Sequence, residues 1–423
     1  MPTLLIKNAV LNGEPVNIFC ENGLISAIDT GDHPADETLD ANGMIAFPPL
    51  INAHTHSSMT LFRGNGDDLP LMEWLTQRVW PYERSISRDE IYWGAKLAIV
   101  EMIRSGTVFF NDMYWDFHAV AEAVEEMGVR ASLASVMIDF TDDASARQRQ
   151  FDRIEREYEQ LNRYSDRVTF ALGPHAKYTV SEESFRWAAD FCKRYNVILH
   201  THLSETEKEV KDCIAEHGCT QVEYFHRIGV LETRFVAAHC VWLNDRDIAL
   251  LGEHGVVCAH NPTSNMKLAV NGVYPYKKLR DSGAITAIAT DGAGSNNNLD
   301  LFEEMKIAAL LQKFDKDDTT ELNANEVLDM ATDNPSSFFG LGGRKLEVGR
   351  QADLILLNPY LPEMNPPHDL ASHLVYSANG SVVDSVICDG RVLMKHREIE
   401  GMDEIIANAN EAARNMFARV DDA

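Results

Sequence analysis

The chain has little of what a secreted, membrane-spanning or nucleic-acid-binding protein needs. Its seven cysteines (Cys20, Cys192, Cys213, Cys219, Cys240, Cys258 and Cys388) are scattered, odd in number and never spaced as Cys-x-x-Cys. That argues against a disulfide framework or a thiolate zinc site, and for a reducing compartment. The start, MPTLLIKNAV, has neither the basic first residues nor the long apolar run of a signal peptide. No apolar stretch approaches the roughly 18 residues of a membrane span. Cations are scarce: 38 Lys and Arg against 65 Asp and Glu leave a formal charge of -27. Nucleic-acid phosphate and anionic membrane are therefore poor partners, although a nucleoside-sized ligand held by local contacts is not excluded. Short repeats, low-complexity segments and obvious linkers are also missing. These absences describe a cytoplasmic globular protein.

What is present fits that class. The 423 residues are 45% hydrophobic and 24% charged, enough for a large barrel with attachments or for two domains. Residues 3–10, 16–20 and 24–28 read as short strands, separated by Asn-Gly turns at 12–13 and 22–23. A similar pattern returns at Ala352–Leu357, at Val382–Cys388, at an Asp389-Gly390 turn and at Val392–Met394. The expected organisation is a small β-sandwich domain from both chain ends (1–47 and 347–401) and a larger unit (48–346). A C-terminal helix completes it (402–423).

In the larger unit, strand-like runs alternate with helical patterns. The expected strands are Leu50–His54, Thr107–Asn111, Ala131–Ile138, Thr169–Gly173, Val197–His202, Phe235–His239, Val256–His260 and Ile285–Thr290. Helices are expected at Trp115–Met127, Ala144–Leu161, Glu182–Tyr195, Asp245–Glu253 and Leu299–Lys313. Eight strands alternating with helices fit a (β/α)8 TIM-type barrel of the α/β class better than an open sheet.

Active sites of such barrels lie at the C-terminal ends of the strands. The first strand runs into His54 and His56, whose alternation lets both rings converge on one point. His175 follows the fourth strand, His200 and His202 end the fifth and His239 the sixth. His260 ends the seventh and Asp291 follows the eighth. Any one of these could be structural: a lone strand-end histidine is more often a satisfied polar residue than a ligand, and Asp291 before Gly292 could be a turn residue. Their shared rim is what points to one site.

Along nearly its full length the chain resembles the metal-dependent amidohydrolase superfamily, and within it the 5-methylthioadenosine/S-adenosylhomocysteine deaminase group. The motifs that carry the resemblance are PPLINAHTHSSMTLFRG, WLTQRVWPYE, GPHAKYTVS, HTHLSETEKEV, AAHCVWLN, HNPTSNMKLA and TDGAGSNNNLDLFEEMK. It implies one divalent metal, zinc (Zn2+) by ligand preference although iron or manganese also accept such donors. The implied ligands are His54, His56, His202 and Asp291. His200 has the wrong offset from Glu205 and is expected to be a neighbour of the ligands. His175 stands where other superfamily members carry a bridging lysine, which points to a single metal.

The resemblance further implies Glu205 as the proton-transferring acid/base, Asp291 as a second proton shuttle, and His239 beside the attacking water. Glu83 is implied as the acceptor for ribose hydroxyls, with His175 and Trp74 lining the substrate pocket. The arginines that hold a homocysteine carboxylate in the family have no clear match. The third strand ends Val136-Met137-Ile138-Asp139, and Arg147 and Arg149 do not align. Pro49 replaces the glycine usual before the first strand, with no functional meaning attached.

The expected activity is hydrolytic deamination of the adenine ring of 5'-methylthioadenosine, S-adenosylhomocysteine or adenosine, by a homo-oligomer. Three readings compete with it. The same site could deaminate or dechlorinate another heterocycle such as guanine or a triazine, or open a cyclic amide. The barrel could also be a non-catalytic binder. Each residue implied for the site has a bland counterpart: Glu205 as a first-turn helix acid, Glu83 as a surface helix acid, Trp74 as core. The pattern of the cytidine-type zinc deaminases, His-x-Glu with Pro-Cys-x-x-Cys, is absent.

Overall fold

The computed structural model describes residues 2–139 and 143–421. Eight parallel strands follow one another in sequence order around a nearly closed barrel. They are Leu50–Thr55, Thr107–Tyr114, Arg130–Met137, Val168–Pro174, Ile198–Leu203, Arg234–His239, Val257–His260 and Ile285–Ile288. The eighth strand ends before Thr290, short of expectation, because its last residues leave the ladder to close the seam. Thr290 N–H donates to Asn52 Oδ1 (3.1 Å), Asn52 Nδ2 donates to Thr290 Oγ1 (2.7 Å), and Asp291 N–H donates to the His54 carbonyl (3.1 Å). The seam thus pins Asp291 beside the first strand.

Small side chains such as Ala53, Ala134, Ala171, Ala259 and Ala287 form one buried cluster of the barrel strands. Larger residues of the surrounding helices form the main core, including Ile99, Phe117, Phe185, Phe225 and Phe302. Helix ends follow local chemistry. The helix expected from Trp115 starts at Phe117, because Asp116 sits at φ 48° and its carboxylate accepts the Ala119 N–H. Trp115 is thereby released to the pocket. The helix Leu301–Lys316 begins two residues later than expected, behind the Asp300 cap.

Both chain ends build a second, mixed sheet. Its strands are Leu4–Leu11, Glu14–Glu21, Leu24–Asp29, Glu37–Asp40, Ile45–Phe47, Leu354–Leu357, Val383–Cys388 and Arg391–Met394. Asn12 and Gly13 (φ 52° and 85°), and Asn22 and Gly23 (φ 53° and 77°), are the left-handed pairs that two-residue hairpins require. The ends join where Ile355 pairs antiparallel with Phe47. This sheet has its own core of Leu4, Ile6, Ile18, Ile25, Leu354 and Leu356.

It docks on the N-terminal end of the barrel through buried charges. Arg130 Nε donates to Asp353 Oδ2 and Arg130 Nη2 to Asp389 Oδ1, each at 3.0 Å, and Arg167 pairs with the other Asp389 oxygen. The C-terminal helix Met402–Asp421 lies against the helix Arg88–Arg104, and its Phe417 ring packs tilted against Tyr82 with centroids 4.6 Å apart. Among the described residues no helix is long and apolar enough to cross a membrane.

Candidate active site

The strand ends place the expected residues together at the C-terminal rim. His54 and His56 Nε2 lie 3.4 and 3.3 Å from Asp291 Oδ1, and His56 Nε2 lies 3.2 Å from His202 Nε2. Proton positions follow from the partners. His56 Nδ1 is 2.6 Å from the Met113 carbonyl and His202 Nδ1 is 2.7 Å from the His175 carbonyl. A carbonyl only accepts, so in the neutral rings both protons sit on Nδ1. The two Nε2 lone pairs then face each other across 3.2 Å, and buried His54 Nε2 has no hydrogen-bond partner. Such a cluster is frustrated unless a cation shares the lone pairs. His54, His56 and Asp291, and likewise His54, His202 and His239, have ligand atoms within 4.8 Å of one another. The donor set fits a catalytic divalent metal.

Electrostatics agree with a site built for neutral imidazoles and one anion. Burial pulls His54 down to about 4 and His202 well below the usual histidine range. Asp291 is pushed up by burial, yet the neighbouring imidazoles of His54, His56 and His239 hold it well below the carboxylate range. Its Oδ2 accepts from Ser264 Oγ (2.7 Å) and Ser295 Oγ (2.9 Å), which leaves Oδ1 turned to the histidines. His200 is the expected neighbour: its Nε2 is 2.8 Å from His54 Nδ1, and its Nδ1 is 3.1 Å from Asn111 Nδ2.

Glu205 faces the same space from the turn after the fifth strand. Burial, with the Asp291 charge second, pushes its carboxyl up to about 8. Its Oε2 lies 3.7 Å from His239 Nε2, while Asn265 Oδ1 at 2.8 Å from His239 Nδ1 sets that ring's orientation. Ser204, His239, Cys240 and Asp291 all have positive φ (50°, 75°, 52° and 61°). Four non-glycine residues in left-handed conformations around one cluster are the kind of backbone strain that functional sites hold.

The pocket over these groups is walled by Trp74, Trp80, Trp115, Val136, Ile138 and Leu268 among others. Trp74 is buried and lies close against Gly294, where a Cβ would sit 2.9 Å from Met59 Cε and 3.1 Å from the Trp74 ring. Glu83 enters from the helix Trp80–Glu83, which follows a π-helical turn at Leu75–Val79. Burial raises its carboxyl, and the neighbouring Tyr114 and Trp115 side chains oppose that. His175 is neutral, pulled to about 3 by burial, with Nδ1 2.9 Å from Thr179 Oγ1. Arg147 pairs with Glu183 and Arg149 with Asp143, and no Lys or Arg lines the pocket among the described residues.

Sequence reasoning missed Ser264, Ser295, Asn265, Tyr114 and Trp115. Ser264, Asn265 and Ser295 do lie inside the motifs HNPTSNMKLA and TDGAGSNNNLDLFEEMK. Ser264 and Asn265 reach Asp291 and His239 at other strand ends, while Ser295 bonds Asp291 four residues back in its own loop, and only the motif text could have flagged them.

A parallel barrel with histidines on strands one and five and an aspartate after strand eight defines the amidohydrolase class, and the chain belongs to that family. The Amidohydrolase family matches residues 45–393. The chain is 47% identical to a 5'-deoxyadenosine deaminase of Methanoregula boonei, over 99% of this chain and 96% of that protein. It is 43% identical to a 5-methylthioadenosine/S-adenosylhomocysteine deaminase of Desulforudis audaxviator, over 99% and 100%. Among solved structures, a zinc-bound adenosine deaminase from Xanthomonas campestris superposes with a TM-score of 0.91 at 33% identity, covering 100% of this chain and 98% of that one.

Proposed function

We infer that the chain is a hydrolytic deaminase of the adenine ring of 5'-deoxyadenosine or 5'-methylthioadenosine, releasing ammonia and the 6-oxo nucleoside. The observation that carries this is the pairing of a frustrated His/Asp cluster with Glu205 inside a pocket that also holds Glu83. The relatives named for deoxyadenosine and methylthioadenosine deamination supply the substrate class.

His54, His56, His202 and Asp291 would hold the metal, zinc as in the adenosine deaminase structure. Bound there, it supplies the Lewis acidity that makes a water nucleophilic near neutral pH. His239 Nε2 orients that water toward C6. Glu205 takes a proton from the water and delivers it to ring N1, so the ring accepts electrons as the C6–O bond forms. Asp291 passes the second proton to the amino group, which leaves as ammonia while the C6 carbonyl forms. The raised Glu205 carboxyl suits a group that must give up a proton near neutral pH.

Glu83 accepts hydrogen bonds from the ribose hydroxyls, and His175 and Trp74 border the nucleoside. Among the described residues no Lys or Arg lines the pocket to meet a homocysteine carboxylate, so S-adenosylhomocysteine is the poorer substrate. The chain works as a homo-oligomer in the cytoplasm, which sedimentation and cell fractionation check.

Zinc-loaded enzyme is offered 5'-deoxyadenosine, 5'-methylthioadenosine, adenosine, S-adenosylhomocysteine and guanine while ammonia is followed. Efficient turnover of the first two supports the assignment. Turnover of guanine or a triazine alone overturns it.

A further inference from the structure

Glu205 projects from an awkward piece of backbone. Ser204, just before it, is left-handed at φ 50° and fully buried, a conformation that costs a non-glycine residue of order 1 kcal/mol or more unless its surroundings enforce it. Two sets of contacts enforce it here. From the turn after the sixth strand, the N–H groups of Val241 (3.0 Å) and Trp242 (2.8 Å) donate to the Ser204 carbonyl, and Cys240 N–H donates to the Leu203 carbonyl (3.0 Å). From below, two buried side chains that the chemistry does not use form a chain of hydrogen bonds.

The polarity of that chain is determined. Ser204 N–H can only donate, so the Gln221 group 2.7 Å away is its oxygen. The Gln221 amide NH2 then faces Glu209 Oε2 at 3.2 Å. Glu209 Oε1 accepts the Thr206 N–H at 2.6 Å, and the Thr206 hydroxyl accepts the Glu209 N–H at 3.3 Å, closing a capping box on the helix Glu207–His217. Glu205 therefore sits between two backbone N–H groups, those of Ser204 and Thr206, that Gln221 and Glu209 hold in series. Gln221 is 1% exposed and Glu209 6%. A helix cap alone needs neither a buried glutamine at its far side nor a contact with the preceding strand.

We propose that Gln221 and Glu209 are positioning residues: a strap across Ser204–Thr206 that holds the Glu205 carboxylate in register with His239 and the water it deprotonates. The proposal rests on the deaminase reading above for its kinetic consequence, and on geometry alone for the strap. Loosening it should shift Glu205 by a fraction of an ångström to an ångström. Displacements of that size cost up to about 100-fold in rate. Substrate contacts and metal ligands stay in place.

The test uses three variants of the full chain. Glu209→Gln sets an amide NH2 against the Gln221 NH2, or against the Thr206 N–H if it flips. Gln221→Met removes the acceptor of the Ser204 N–H at similar volume. Glu209→Gln/Gln221→Glu restores every donor-acceptor pair with the polarity of the link reversed. For zinc-loaded protein and 5'-deoxyadenosine, the single variants should lose about 10- to 100-fold in kcat. KM should stay within about threefold, metal content should be unchanged, and the double variant should recover to within about threefold of wild type. Exchange of the Ser204 amide hydrogen, read by NMR or mass spectrometry, should be faster in both single variants and restored in the double.

Wild-type kcat in folded single variants overturns the strap. So does a folded, metal-replete double variant no better than Glu209→Gln. If the wild type deaminates no adenosine derivative, the functional reading fails by itself. The Ser204 exchange rates still decide the strap: unchanged protection in the single variants refutes it, and lost and regained protection supports it.

Discussion

The two ends of the barrel carry buried polar clusters of opposite character. At the N-terminal end, Arg130 and Arg167 meet Asp353 and Asp389, every cation beside a carboxylate, and the cluster joins the barrel to the second sheet. At the C-terminal rim, histidine lone pairs face one another, His54 Nε2 is unpartnered, and Glu205 is lifted to about 8 by burial and by Asp291. A paired network needs nothing further. A frustrated one carries an energetic cost that only a bound cation and a substrate relieve, and that is what separates a site from a clasp.

This contrast can be broken most severely at the rim. Glu205→Gln should lower kcat by about 10³-fold or more, in the range general acid/base groups contribute, while the metal stays bound. Metal analysis beside steady-state rates checks both halves. The clasp should respond in stability instead. Arg130→Met alone leaves buried Asp353 uncompensated, since Arg167 still faces Asp389, and should cost about 3–5 kcal/mol in denaturant unfolding. The pair Arg130→Met/Asp353→Leu should cost much less, and kcat at a permissive temperature should be unaltered in both.

A pH series distinguishes the ends without mutation. An acid whose folded pKa is raised stabilises the fold fully below its unfolded value, and that contribution is lost as pH rises through the folded one. Glu205, at about 8 against an ordinary 4.5, and Glu209, at about 7, make the metal-free protein lose stability between about pH 6.5 and 8, above the range in which His54 and His175, lowered to about 4 and 3 from an ordinary 6.5, still add to it. Glu205→Gln should flatten part of that slope. A metal-free Tm that rises over this window would contradict the account. The smallest effect is expected at the pocket's far wall. Glu83→Gln should raise KM for a nucleoside by about tenfold, the loss of one charge-assisted hydrogen bond, and scarcely change turnover of a free base.

Much of this was legible because the signals are local. Asn12-Gly13 and Asn22-Gly23 can hardly be other than hairpin turns, and alternation at His54 and His56 marks one strand's working face. The eighth strand was overrun because Thr290 looks like strand, whereas Asn52, 238 residues away, draws it into the seam. The helix start at Trp115 was missed because Asp116 caps in an unusual left-handed conformation. Tyr114 and Trp115 beside Glu83, and Ser264 on Asp291, depend on which strand ends become neighbours. The Gln221 contact with Ser204 is of the same kind, a helix residue reaching back across 17 positions.

The central claim is that the rim cluster is a metal centre for adenine-ring hydrolysis. Ammonia release from 5'-deoxyadenosine before and after metal stripping, and again after one equivalent of zinc, tests it most directly. The account predicts no ammonia from the stripped enzyme, and with zinc one ammonia for each 6-oxo nucleoside formed. Undiminished turnover by metal-free protein would contradict it.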